Sequence, residues 1–301
     1  MTDAVIADGS RVIDAAPKAT RAPRSWAWLG LVPFFAFLSL FLVVPAISVF
    51  SKAFVDGEGQ FGFTAFRNAF RGQNLRAFEF SVKLSAISAA VGVVIGTLLA
   101  YAATSIRRPR WLRSLVVAFS GVAANLGGIP LAFAFIALLG RQGLATKILS
   151  GLGVDLYGSG FELDSTWGLT AVYSYFQIPL MVLITLPAID GLKTSWREAA
   201  ANLGGTSFTY WRRVGIPVLT PSLLGGFILL FANSFSAYAT ADAMTTKSLI
   251  VPLRIGFYFR GDISAGEEQL GFSLAAWMIV IMTVCMGLYW ILRRRAERWQ
   301  N

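Results

Sequence analysis

The chain has 301 residues, of which 55% are hydrophobic and only 14% charged, with a mean hydropathy of +0.62, a balance far more apolar than globular usage that points to a bilayer protein. Histidine is absent and the single cysteine, Cys285, falls inside an apolar run, which excludes an intramolecular disulfide, Ser-His and Cys-His nucleophile pairs, and most zinc or haem sites. The net charge of +10 is explained by basic flanks of spanning segments and calls for no nucleic-acid partner.

Residues 1–25 are rich in Ala, Asp, Pro and Arg without apolar periodicity, and are expected to form a disordered tail. Six uncharged stretches follow, at 26–50, 84–106, 114–140, 167–189, 214–241 and 270–292. Each meets the requirement of roughly 20 apolar residues to cross roughly 30 Å of hydrocarbon as a helix. The fold class is therefore all-α, a membrane protein with six transmembrane helices. The first stretch follows Arg21 and Arg24, but it is too long for the core of a signal peptide and lacks a clear small-residue cleavage site, so it is read as a retained span.

The connection at 51–80 is interrupted by Gly57, Gly59 and Gly62 and then reads FTAFRNAFRGQNLRAF. The spacing of Phe63, Phe66 and Phe70 predicts a short amphipathic helix lying at the membrane interface. Residues 81–292 contain the other five spans. The third holds Asn125-Leu126-Gly127-Gly128-Ile129-Pro130 near its middle. Two readings stand here: a broken helix that exposes backbone to a watery site, or a packing kink satisfied by a neighbour.

Polar groups inside hydrocarbon are costly unless they face a cavity or another helix, which makes them candidates for a solute pathway. They are Asn125 in the third span, Tyr173 and Gln177 in the fourth, Asn233, Ser234, Ser236 and Tyr238 in the fifth, and Asp242 at its outer end. On a helix Asn233, Ser236 and Ala237 share one face, as do Ser234 and Tyr238. Small residues and hydroxyls also serve as glue between membrane helices, and Ser39 and Thr283 are read that way.

Charge sorts the connections. The tail, the 107–113 and 190–213 segments and the basic C-terminus at 293–301 hold 16 basic residues against six acids, whereas the opposite side holds ten of each. The positive-inside rule then puts the first side, with both termini, in the cytoplasm.

The cytoplasmic segment 197–221 reads REAAANLGGTSFTYWRRVGIPVLTP. Its Ala-rich start favours a helix, Gly204-Gly205 ends that helix and permits positive φ, and Thr206 and Ser207 cap a second helix running into Pro217. Composition alone leaves open a docking knob or a hairpin that merely anchors two spans.

The order Glu198-Ala199-Ala200, three residues, Gly204, nine residues, then Val214-x-Ile216-Pro217 resembles the EAA loop of ABC importer permeases. Val and Ile stand where that family usually has Ile and Leu. The string NLGGIPLAFAFIALLGRQG, with short outer loops, is similar to permeases of the spermidine/putrescine branch and its relatives for iron, thiamine, sulfate-like anions and phosphonates. The resemblance implies a type I importer permease (MetI-like) fold, with residues 191–216 as a coupling loop. Arg197, Glu198, Ala199, Ala200, Leu203, Gly204 and Pro217 would meet an ATPase subunit there.

It further implies a second permease subunit, a soluble or lipid-anchored substrate-binding protein, surrounding lipid, and the bacterial inner membrane as location. No cofactor is expected on this chain, and ATP and Mg would be used by the ATPase, since G-x-x-x-x-G-K-[ST] is missing and Asp190-Gly191-Leu192-Lys193-Thr194 has Leu where the second Gly must be. Asp242 and the outer acids would suit a polyamine, Lys83 and Arg254 an anion. The competing reading is an autonomous secondary carrier or channel. It needs ionisable groups inside the membrane, and the six stretches contain none; a membrane enzyme needs a catalytic constellation that is equally missing.

Overall fold

The computed structural model describes residues 30–55, 60–105, 110–245, 249–260 and 268–297. The predicted tail at 1–25 and the end of the chain from 298 lie outside the described residues. Among those described, six helical stretches are long and apolar enough to cross a membrane: Val32–Ala53, Gly72–Ser105, Gly128–Gly151, Thr166–Asp190, Ser207–Ser236 and Glu268–Arg294. The protein is a multi-pass, all-helical membrane protein.

Helix α1 (Val32–Ala53) carries exposed Phe34, Phe37, Phe41 and Leu42, side chains suited to hydrocarbon. Its π-turn at Ser39–Val43 comes two residues before Pro45, where the ring lacks an N–H and crowds the carbonyl four residues back.

Helix α2 (Thr64–Asn68) is the helical part of the connection among its described residues, before α3 (Gly72–Ser105) begins at Gly72, whose φ is +56°. The predicted short helix is found at Thr64–Asn68, and Phe66 and Phe70 pack on protein. Phe66 stacks on Trp277 with centroids 4.4 Å apart, and Phe70 stacks on Phe78 at 4.8 Å, while Phe63 stays exposed. Their partners are supplied from a distant helix, which local periodicity does not register.

Along α3 a stripe of small residues, Ser81, Ser85, Ser88, Gly92, Gly96, Ala100 and Ala103, is buried at intervals of three and four. Such a stripe lets helix backbones approach closely. A Cβ at Gly96 would lie 2.8 Å from the carbonyl oxygen of Ile178, and one at Gly92 2.6 Å from Leu230.

The third predicted span is two helices, α4 (Arg110–Asn125) and α5 (Gly128–Leu139), separated by Leu126-Gly127. With 16 and 12 residues they rise about 24 and 18 Å, so neither crosses the hydrocarbon alone. Gly128 has φ +72°, a conformation glycine adopts without the penalty a Cβ would bring. After α6 (Leu144–Gly151) comes α7 (Thr166–Asp190), begun by Ser165, whose hydroxyl accepts from the amide of Gly168.

Helix α8 (Thr194–Asn202) is short and has no buried residue. Helix α9 (Ser207–Ser236) has a second π-turn at Trp211–Gly215, again two residues before a proline, Pro217. It stops at Ser236 because Ala237 turns extended, and α10 (Ala239–Met244), α11 (Val251–Arg260) and α12 (Glu268–Glu297) complete the chain. The expected sharing of a helical face by Ala237 and Tyr238 with residues before them is thus interrupted by the break. One core cluster joins Leu84, Leu131, Leu169, Tyr173 and Leu253, one from each of α3, α5 and α11 and two from α7.

Candidate functional site

The 194–221 segment is built as its residues dictate. Helix α8 ends at Leu203, after which Gly204 takes φ +76°. The Gly205 amide donates to the Ala200 carbonyl at 2.9 Å and the Gly204 amide to Ala201 at 2.9 Å, the paired bonds that close a helix through a left-handed residue. Thr206 caps the next helix, its hydroxyl accepting from the Thr209 amide at 3.3 Å. The segment is a helix, a sharp bend and a helix.

Arg197, Glu198 and Ala199 are exposed on it and Ala200 half-buried, while Leu203 is 88% and Phe208 72% exposed. Leu203 lies between the helices and Phe208 in the first turn of α9, so the two uncovered apolar groups flank the bend. Ala199, Ala200, Leu203 and Pro217, with Lys193 and Arg213, border a cavity of about 1250 Å³ between this hairpin and the ends of α7 and α9.

The polar candidates divide into two groups. Tyr173 and Gln177 are fully buried and Ser234 nearly so. The Tyr173 hydroxyl donates to the Ala237 carbonyl at 3.2 Å, which meets the break after α9. The Gln177 amide donates to the Leu230 carbonyl at 2.9 Å and to Ser88 Oγ at 3.4 Å, and Ser88 and Ser234 share a hydrogen bond of 2.9 Å. These bonds tie α3, α7 and α9 together, the use of polar groups as interhelical glue. Ser88 was not picked out from sequence, although its place in the small-residue stripe of α3 is a readable signal.

Asn125, Asn233, Ser236 and Asp242 are exposed, and Tyr238 is half-buried. Asn125 bonds the Gly121 carbonyl at 2.9 Å and Ser236 the Asn233 carbonyl at 3.2 Å, both within their own helix. Asp242 lies 3.6 Å from Arg260, whose guanidinium also stands 5.5 Å from the Tyr238 ring centroid. Arg254 donates to Asn74 Oδ1 at 2.7 Å.

The two helix breaks meet. The Gly128 amide at the start of α5 donates to Thr240 Oγ1 of α10 at 2.8 Å. The chain at 125–130 is therefore a broken helix whose Gly128 amide is satisfied by a neighbour, as the second sequence reading has it. Thr240→Val keeps the shape and removes that acceptor, at about 1–3 kcal/mol for an orphaned buried donor. Its melting midpoint in detergent is expected to fall while Thr240→Ser retains it; an unchanged midpoint in the valine variant would show the bond to be dispensable.

Among the described residues no group of three or more His, Cys, Asp or Glu side chains comes together.

The model of the family "Binding-protein-dependent transport system inner membrane component" matches residues 92–298. The chain is 29% identical over 164 residues to the molybdenum transport system permease protein ModB of Mycobacterium tuberculosis, a match covering 54% of this chain and 58% of that one. It is 23% identical to the sulfate transport system permease protein CysW of Escherichia coli, over 93% of this chain and 94% of that one, and 22% identical to the spermidine/putrescine permease protein PotB of Haemophilus influenzae, over 87% and 94%. Its fold matches that of a chain in a bacterial ABC transporter that imports the acidic polysaccharide alginate, with a TM-score of 0.65 at 18% identity over 90% of this chain and 94% of that chain.

Proposed function

This chain belongs to the family of binding-protein-dependent transport system inner membrane components, and on that premise we propose that it is a permease subunit of an ATP-driven importer. It forms half of a translocation pathway with a second permease, takes solute from a binding protein, and is driven by ATPase subunits on the cytoplasmic side. The 194–221 hairpin and both termini lie on that side.

The observation that carries this reading is the hairpin itself. Helix α8 has no buried residue, the chain bends sharply after it at Gly204, and Leu203 and Phe208 stand uncovered. Arg197 and Glu198 stand exposed beside these residues as charged groups for a partner. A rigid helix docked in a groove can carry a free-energy difference between two conformations, as a mechanical connector must.

In the pathway, the exposed Asn125, Asn233 and Ser236 offer polar contacts to the solute, with Tyr238 and Asp242 nearer the outer end, whereas Tyr173, Gln177 and Ser234 hold the helices that present them. The solute is small and polar. The relatives' names span molybdenum, sulfate and spermidine/putrescine. The pairing of Asp242 with Arg260 leaves no net charge at that end, which selects neither a polyamine nor an oxyanion.

Purification of the chain from its own membrane tests the proposal. Recovery with a nucleotide-binding subunit, lost on Glu198→Lys, is expected. Asn233→Ala with Ser236→Ala should raise the half-saturating solute concentration for uptake. Recovery of the chain alone, transporting in liposomes without ATP, would make it a secondary carrier.

A further inference from the structure

Arg113 and Asp190 form an ion pair between α4 and α7. Arg113 lies in the first turn of α4 and Asp190 is the last residue of α7. Each charge is at the wrong end of its own helix. A helix N-terminus disfavours a cation and a C-terminus an anion, each by about 0.3–1 kcal/mol. The two side chains are 41% and 40% exposed, and a pair so open to solvent returns only about 0–1 kcal/mol. Gain and loss are of one size, so the pair is not accounted for as a source of stability.

Its position has another consequence. Asp190 is followed by Gly191, Leu192 and Lys193 and then by α8, so the last turn of α7 is three residues from the hairpin. Arg113 lies in the first turn of the helix that ends at Asn125, beside the break at Leu126-Gly127. Around the pair, Val116 of α4 packs with Ile189 of α7 and Leu219 of α9. Apolar contacts of this kind permit sliding, whereas an ion pair sets one register.

We propose that Arg113 and Asp190 are positioning residues that make α4 follow α8, so that displacement of the hairpin is delivered to the helix break next to Asn125. This rests on the importer reading, in which ATP moves the hairpin.

Spin labels at Ser195→Cys on α8, paired with Val122→Cys on α4 or with Val284→Cys on α12, in a Cys285→Ser background, read both motions in the complex purified from its own membrane. Distances are taken without nucleotide and after trapping with ATP and vanadate. In the otherwise native chain the 195–284 distance is expected to shift and the 195–122 distance to stay fixed. With Arg113→Gln or Asp190→Asn the 195–122 distance should acquire a shift of its own, and the exchange of charges in Arg113→Asp with Asp190→Arg should abolish that shift again.

A purely structural role predicts lower melting midpoints for the neutral variants; the tie predicts unchanged or higher ones, because each removes a charge that its helix disfavours. If the 195–284 distance does not respond to nucleotide, the importer reading falls and the tie with it. If it responds and the neutral variants still hold the 195–122 distance fixed, the tie alone is overturned.

Discussion

Purification of the complex from cells carrying Gly204→Pro is expected to yield the membrane chain without its ATPase subunit. Proline holds φ near about −65°, and Gly204 sits at +76°. It also lacks the N–H that Gly204 donates to Ala201. The bend between α8 and α9 must then open, which re-aims Leu203 and Phe208 together with Glu198. Gly204→Ala retains the N–H and costs about 1–2 kcal/mol in the left-handed region, so a partial loss of bound ATPase is expected from it. No residue packs within 4 Å of where a Cβ at Gly204 would lie, so both variants should reach the membrane folded. Full ATPase retention in the proline variant, with solute uptake unaltered, would refute the connector role of the hairpin.

Gly96→Leu is expected to remove most of the folded protein from the membrane. The obstacle to its Cβ is the Ile178 carbonyl oxygen at 2.8 Å and the Met181 Cβ at 2.6 Å, neither of which can swing aside as the tip of a long side chain can. Overpacking of a tight contact costs about 1–3 kcal/mol and occasionally more, and here a backbone atom is the neighbour. Separation of α3 from α7 would also stretch the Gln177 to Ser88 bond, already 3.4 Å. Gly287→Leu on α12, where nothing lies within 4 Å, is the matched control. Equal membrane levels and equal melting midpoints for the two variants would mean that the approach of α3 to α7 is looser than described.

Much of this protein is written in short-range chemistry. Apolar runs long enough to span a bilayer required helices, because backbone N–H and C=O groups in hydrocarbon must be satisfied within the chain. The bend at Gly204-Gly205, the Thr206 cap and the interruption near Gly127-Gly128 were legible for a similar reason: each depends on a few neighbouring residues and their allowed φ.

The pairing of those helices was not legible, because it depends on residues far apart in the chain. Gln177 and Asn233 read alike as polar residues in a span, yet one is enclosed by α3, α7 and α9 and the other is exposed. Phe66 and Phe70 read as part of a short interfacial helix, and nothing near them in sequence announced that both pack on Trp277. The Gly128 to Thr240 bond spans 112 residues of sequence and the Arg113 to Asp190 pair 77. The sequence by itself determined that the chain crosses the membrane as helices and where the Gly204 bend falls, since burial of apolar area and backbone hydrogen bonding act locally along a helix, but it put the third span at 114–140, where the structure has a break at Leu126-Gly127 and a span-length stretch at Gly128–Gly151. Only the tertiary structure decided which polar groups bind helices together and which stay exposed, because that depends on which faces of the helices meet.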